Sequence, residues 1–77
     1  MAWRETSEGL VQDYEFDDFA RAIEFVNQVA KVAEGKGHHP DILIHDWNQV
    51  RLTLSTHSEG HTITDADRDL AEAIDNL

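Results

Sequence analysis

The stretch Glu34-Gly-Lys-Gly-His38-His39-Pro40 constrains this chain more than any other, because it dictates where a helix stops and a strand begins. It holds the only proline, two of the four glycines and an adjacent pair of histidines. Gly35 and Gly37 suit a helix C-terminus, since glycine accepts the left-handed conformation found there. His39 precedes Pro40, whose ring pushes that residue's backbone out of the helical region toward extended geometry. Two imidazoles are thereby held at a helix-to-strand junction by backbone restraint. Histidine exchanges protons near neutral pH, so the junction is a candidate acid–base site.

The rest of the chain can be read outward from that junction. Before it, Trp3 to Glu5 and Leu10 to Phe16 read as short strands around a turn at Ser7-Glu8-Gly9. In the second, Leu10, Tyr14 and Phe16 fall on one face and Asp13 and Glu15 on the other, with Gln12 breaking the pattern. Asp17 or Asp18 caps a helix running to about Glu34. Its apolar residues, from Phe19 to Ala33, cover roughly half the circumference, wider than one sheet requires. The surplus at the Phe25/Val32 edge is available to a second subunit or to a neighbouring helix. After the junction, Ile42 to Trp47 and Val50 to Thr56 read as a hairpin turning at Asn48-Gln49. Val50, Leu52, Leu54 and Thr56 alternate with Arg51, Thr53, Ser55 and His57, a clear period of two. If the even-numbered residues face the helices, His57 leaves on the opposite face or in the loop just beyond. Thr64 with Asp67 forms a capping box, with aspartate in place of glutamate, and opens a last helix whose apolar positions are Ala66, Leu70, Ala73, Ile74 and Leu77. The expected fold is α+β: a four-stranded antiparallel sheet with two helices on one face, in the order β-β-α-β-β-α, forming one domain over residues 1–77.

Composition excludes several function classes. Sixteen acidic residues against six basic ones give a formal charge of −10, which disfavours nucleic acid and anionic membrane surfaces as partners. No apolar run is long enough for a membrane span or a signal peptide, so a cytoplasmic location is expected. Without cysteine there is neither disulfide nor thiolate chemistry. A chain of 77 residues buries only about 60% of its unfolded surface, so oligomerisation is the expected supplement to stability.

Five histidines in such a chain invite a functional reading, and their placement matters more than their number. His38 and His39 close the first helix, His57 follows the last strand, and Asp67 lies in the first turn of the last helix. On this topology all four border one end of the sheet. Plainer accounts exist: a histidine pair at a helix C-terminus complements the dipole, and Asp67 serves as a cap. His45 and His61 read as solvent-exposed, and Trp47 as hairpin packing or a cavity wall.

Glu34, His38-His39-Pro40, Trp47, His57 and Asp67, at these spacings, resemble the pterin-4a-carbinolamine dehydratase family. The segment Leu52-Thr-Leu-Ser-Thr-His57 resembles the family's last strand running into its second catalytic histidine, and the similarity extends over nearly the whole chain. Two departures stand out: the sequence begins at the first strand, without the N-terminal helix of longer members, and the loop from His57 to Asp67 is one residue longer and carries His61. The longer loop leaves Asp65 as an alternative to Asp67.

The resemblance implies elimination of water from a 4a-hydroxytetrahydropterin, giving quinonoid dihydropterin in the recycling that follows aromatic amino acid hydroxylation. It implies His38 and His57 as general acids, Asp67 as the carboxylate fixing a histidine, and His39, Glu34 and Trp47 at the substrate. No cofactor and no metal are expected. The implied partners are the pterin and further copies of the chain, as homodimer or homotetramer, with a functional link to a hydroxylase. The alternatives are a non-enzymatic dimerisation, assembly or coactivator module of the same fold, or a metal site built on the histidines. The last lacks the His-x-x-x-His helix spacing.

Overall fold

A computed structural model describes residues 3–77; the side chain of His57 lies outside the described part. The elements run β1 (Arg4–Thr6), β2 (Gly9–Glu15), α1 (Phe19–Lys36), β3 (Asp41–His45), β4 (Gln49–Leu54) and α2 (Asp65–Asp75), with a single 3-10 turn at His57–Glu59. The order β-β-α-β-β-α and the α+β class are as the sequence predicts. The strands form one antiparallel sheet in the order β1-β2-β4-β3, so β2 and β4 are central and β3 is an outer strand.

The alternation in β4 does what its period demands. Val50, Leu52 and Leu54 are fully buried and meet Ala22, Val29 and Ala33 of α1 and Leu70, Ala71 and Ile74 of α2. Burying apolar area at roughly 25 cal/mol per Å2 makes this layer the principal source of stability. Gln12, which interrupts the pattern of β2, is 2% exposed and satisfies itself by donating to the Tyr14 hydroxyl at 2.8 Å. Gly9 sits at a φ of 135°, where an added Cβ would lie 2.2 Å from the Leu54 carbonyl oxygen. Only glycine lets β2 start this close to β4.

Several local expectations are corrected. The β3–β4 turn falls at Asp46–Asn48 rather than at Asn48-Gln49. Gln49 already pairs with His45, while Asp46 and Trp47 take the turn with φ of 49° and 55°. Asn48 is held elsewhere, giving its side-chain amide to the Phe16 carbonyl at 2.9 Å and accepting from the Phe16 amide at 2.9 Å. The Phe25 edge of α1 turns inward within the chain, its ring centroid 4.6 Å from Tyr14 and 5.2 Å from Phe16. In α2 the buried stripe takes Ala71 and leaves Ala66 and Leu77 exposed. Gly35 lies inside α1, and Gly37 alone ends it.

Candidate active site

The C-terminus of α1 is closed by a Schellman motif. Gly37 adopts φ 65° and its amide reaches the Glu34 carbonyl, while the His38 amide reaches the Ala33 carbonyl, both at 3.2 Å. His38 is thus bonded into the cap, and its position follows from the glycine that precedes it. On the opposite side, the chain leaving β4 is pinned at Thr56. The Thr56 amide donates to the Thr62 carbonyl at 2.8 Å, and the Thr56 carbonyl accepts from Glu59 and His61 amides at 3.0 Å each. The third wall is the start of α2, where Thr64 and Asp67 form the predicted capping box.

These three pieces meet at Asp67, whose side chain is wholly buried. Oδ1 faces His38 Nε2 at 2.5 Å; Oδ2 accepts from the Thr64 amide at 2.9 Å and the Thr56 hydroxyl at 2.8 Å. Burial alone would push the Asp67 carboxyl upward. Donation from His38, from the Thr64 amide and from the Thr56 hydroxyl outweighs it and holds the group below the usual carboxylate range. An anion at Oδ1 requires a proton on His38 Nε2, which leaves Nδ1 as the ring nitrogen able to exchange protons with a ligand.

His38 is only 17% exposed and stands between two hollows. One, of about 220 Å3, is lined by Gly37, His38, His39, Ser55, Thr56 and Ser58. The other, of about 340 Å3, is lined by Gly35, Lys36, His38, Ala66 and Asp69. His39 is exposed and pairs through Nε2 with Glu34 in the last turn of α1, so Glu34 supports His39 rather than His38. The His57 backbone opens the 3-10 turn between Thr56 and Ser58, both in the wall of the smaller hollow; its side chain, expected as the second acid, lies outside the described residues.

Asp65, the alternative carboxylate, is exposed on the first turn of α2, and Asp67 is the one against His38. Trp47 is not brought to this place within one chain. It stands 61% exposed on the β3–β4 turn, at the other end of a five-residue strand and hence about 15 Å along the sheet. His45 pairs with Asp46 at 2.9 Å, and His61 lies 3.4 Å from the Ser55 hydroxyl. Sequence reasoning did not assign Thr56 or the two serines to the site. The signal for Thr56 is present: it continues the inward-facing register of Val50, Leu52 and Leu54, where a hydroxyl needs a polar partner. Among the described residues, no three His, Cys, Asp or Glu side chains converge to hold a metal ion.

Fold and site together define a small α+β chain with a buried histidine–carboxylate pair at a helix end. The sequence model of the family described as pterin 4 alpha carbinolamine dehydratase matches residues 1–77. This chain belongs to that family. A Gloeobacter violaceus protein with the provisional name pterin-4-alpha-carbinolamine dehydratase 2 is 56% identical over 61 residues, 79% of this chain and 64% of that protein. A Thermosynechococcus vestitus protein, likewise provisionally named a pterin-4-alpha-carbinolamine dehydratase, is 45% identical over 97% of this chain and 77% of its own length. This chain thus spans between three-fifths and four-fifths of the two. Among solved structures, a transcriptional coactivator/pterin dehydratase from Brucella melitensis superimposes with a TM-score of 0.85 at 33% identity, over 96% of this chain and 79% of the other. A pterin dehydratase-like protein described as a RuBisCO assembly factor of the alpha-carboxysome superimposes at 0.78 with 25% identity, over 99% and 88%.

Proposed function

We propose that this chain eliminates water from a 4a-hydroxytetrahydropterin, yielding quinonoid dihydropterin. The observation that supports it most is the buried Asp67–His38 pair beside the hollow walled by His39 and by both neighbours of His57. That hollow is smaller than the roughly 300–1,000 Å3 of sites for drug-sized ligands, which suits a flat bicycle. In the reaction a ring-nitrogen lone pair expels the 4a-hydroxyl as His38 protonates it. The C–O bond breaks, water leaves, and the ring nitrogen gives up its proton to the site. A positioned acid of this kind is worth about 10² to 10⁴-fold. His57 is assigned the same role toward the opposite face of the pterin, and His39, steadied by Glu34, orients the ring. The reaction calls for no cofactor.

A pterin released by an aromatic amino acid hydroxylase is the natural source of this substrate, in the cytoplasm, with the chain working as a homodimer or homotetramer. Trp47 reaches the substrate only if a second copy carries it there. The likeness to a RuBisCO assembly factor supports a second reading, an assembly module without chemistry. One experiment separates the two. Chemically generated 4a-hydroxytetrahydropterin is followed by absorbance with wild type, His38→Ala and His57→Ala. The dehydratase reading requires His38→Ala to lose at least 10²-fold at a temperature where the variant is still folded. Equal rates for all three proteins refute it.

A further inference from the structure

Asp67 is served by two hydroxyls besides its histidine, and their order fixes the direction of each proton in the cluster. Thr56 Oγ1 lies 2.8 Å from Asp67 Oδ2 and 2.6 Å from Thr64 Oγ1. An ionised carboxylate only accepts, so the single Thr56 hydroxyl proton points at Asp67. Thr56 must then accept from the Thr64 hydroxyl. The chain reads Thr64 to Thr56 to Asp67, with His38 donating from the other side. The Thr56 main chain is tied at both ends, to Thr62 and to Glu59 and His61, which holds its Cα beside Asp67.

We infer that Thr56 is a positioning residue for the dehydration: with the Thr64 amide it occupies Asp67 Oδ2, so that only Oδ1 faces His38 and the imidazole is held with its proton on Nε2. The inference rests on the reading of His38 as the acid. Its physical content is that a carboxylate with both Oδ2 acceptor sites taken can neither rotate nor protonate cheaply, and a ring anchored to it through Nε2–H takes up its working proton on Nδ1 and delivers it from there as the imidazolium. Threonine is suited to this place because its one hydroxyl both accepts and donates. Valine copies its shape and does neither.

The test compares Thr56→Val and Thr56→Ser with wild type by three readouts. These are the 15N tautomer signature of His38, the 13C titration of the Asp67 carboxyl, and kcat and KM for 4a-hydroxytetrahydropterin. Loss of one donor to a buried anion raises the Asp67 midpoint by about one pH unit, a tenfold change in proton affinity. In Thr56→Val we expect that rise, a mixed His38 tautomer, and kcat lower by about tenfold with KM within about twofold. Thr56→Ser restores all three. If valine does not fold, Thr56→Ala carries the same readouts. A folded Thr56→Val or Thr56→Ala with an unmoved Asp67 midpoint and a single His38 tautomer overturns the inference. An inactive wild type that nevertheless shows both spectroscopic changes on losing the hydroxyl supports the positioning role and defeats only the dehydratase reading.

Discussion

Replacing Asp67 by asparagine tests the centre of this structure, because the substitution keeps the shape and removes the charge. Three donors converge on the buried carboxylate: His38 Nε2, the Thr56 hydroxyl and the Thr64 amide. A carboxamide has one oxygen for them, and its NH2 can only donate. If that oxygen serves Thr56 and Thr64, the amide nitrogen faces His38, which must shed its Nε2 proton to accept. Hydrogen bonds to a charged group are worth about 1.5–3 kcal/mol and neutral ones about 0.5–1.5 kcal/mol. Weakening two bonds and reversing a third therefore costs several kcal/mol. Relief of the desolvation of a buried charge offsets part of it, leaving a net loss of about 2 kcal/mol. For a domain of this size that lowers the melting temperature by about 10 °C.

The pH dependence has a definite sign. Asp67 is held below the usual carboxylate range in the folded state, so the unfolded chain binds the proton first as pH falls. The stability it contributes is complete above the ordinary value of 3.8 and is lost as pH drops through the lower folded value. Melting curves of wild type and Asp67→Asn should differ fully at pH 7 and begin to converge only below about pH 4. Dehydration by the variant should fall at least 10²-fold, because His38 is left in the wrong tautomer. Equal melting temperatures at pH 7, or a gap that stays constant down to pH 3, would show that Asp67 is not a stabilised buried anion.

The two glycines near the site should respond with opposite signs. Gly35→Ala, in the last turn of α1 with nothing within 4 Å of the new Cβ, should stabilise by up to about 1 kcal/mol; Gly37→Ala, at φ 65°, should destabilise by about 1 kcal/mol, both read by denaturant unfolding. Trp47→Gly should stabilise by about 1 kcal/mol, since an exposed tryptophan at φ 55° gives up packing elsewhere for a strained turn. An unchanged dehydration rate in that variant would show that Trp47 takes no part in the site. Burial pushes the Tyr14 phenol up to about 12, so the fold should lose stability between pH 10 and 12, and Tyr14→Phe should flatten that loss in melting curves.

The linear order of residues determined the architecture here because each element carries a local signal. The period of two in Val50–Leu54, the Asp18 cap, the Thr64–Asp67 box and the glycine before His38 each act over a few residues. The same locality named His38, His39 and Asp67 as candidates. What distances along the chain cannot encode is which partner each group meets. Asp67 lies 29 residues from His38, and only the packing of α2 against α1 closes that gap to 2.5 Å. Glu34 turned out to serve His39, Trp47 was carried to the far end of its hairpin, and Phe25 found its partners within the chain. The inward register of Thr56 could be read from the strand's period, but its partners Asp67 and Thr64 were set by the fold, since a hydroxyl's role depends on the groups that close around it.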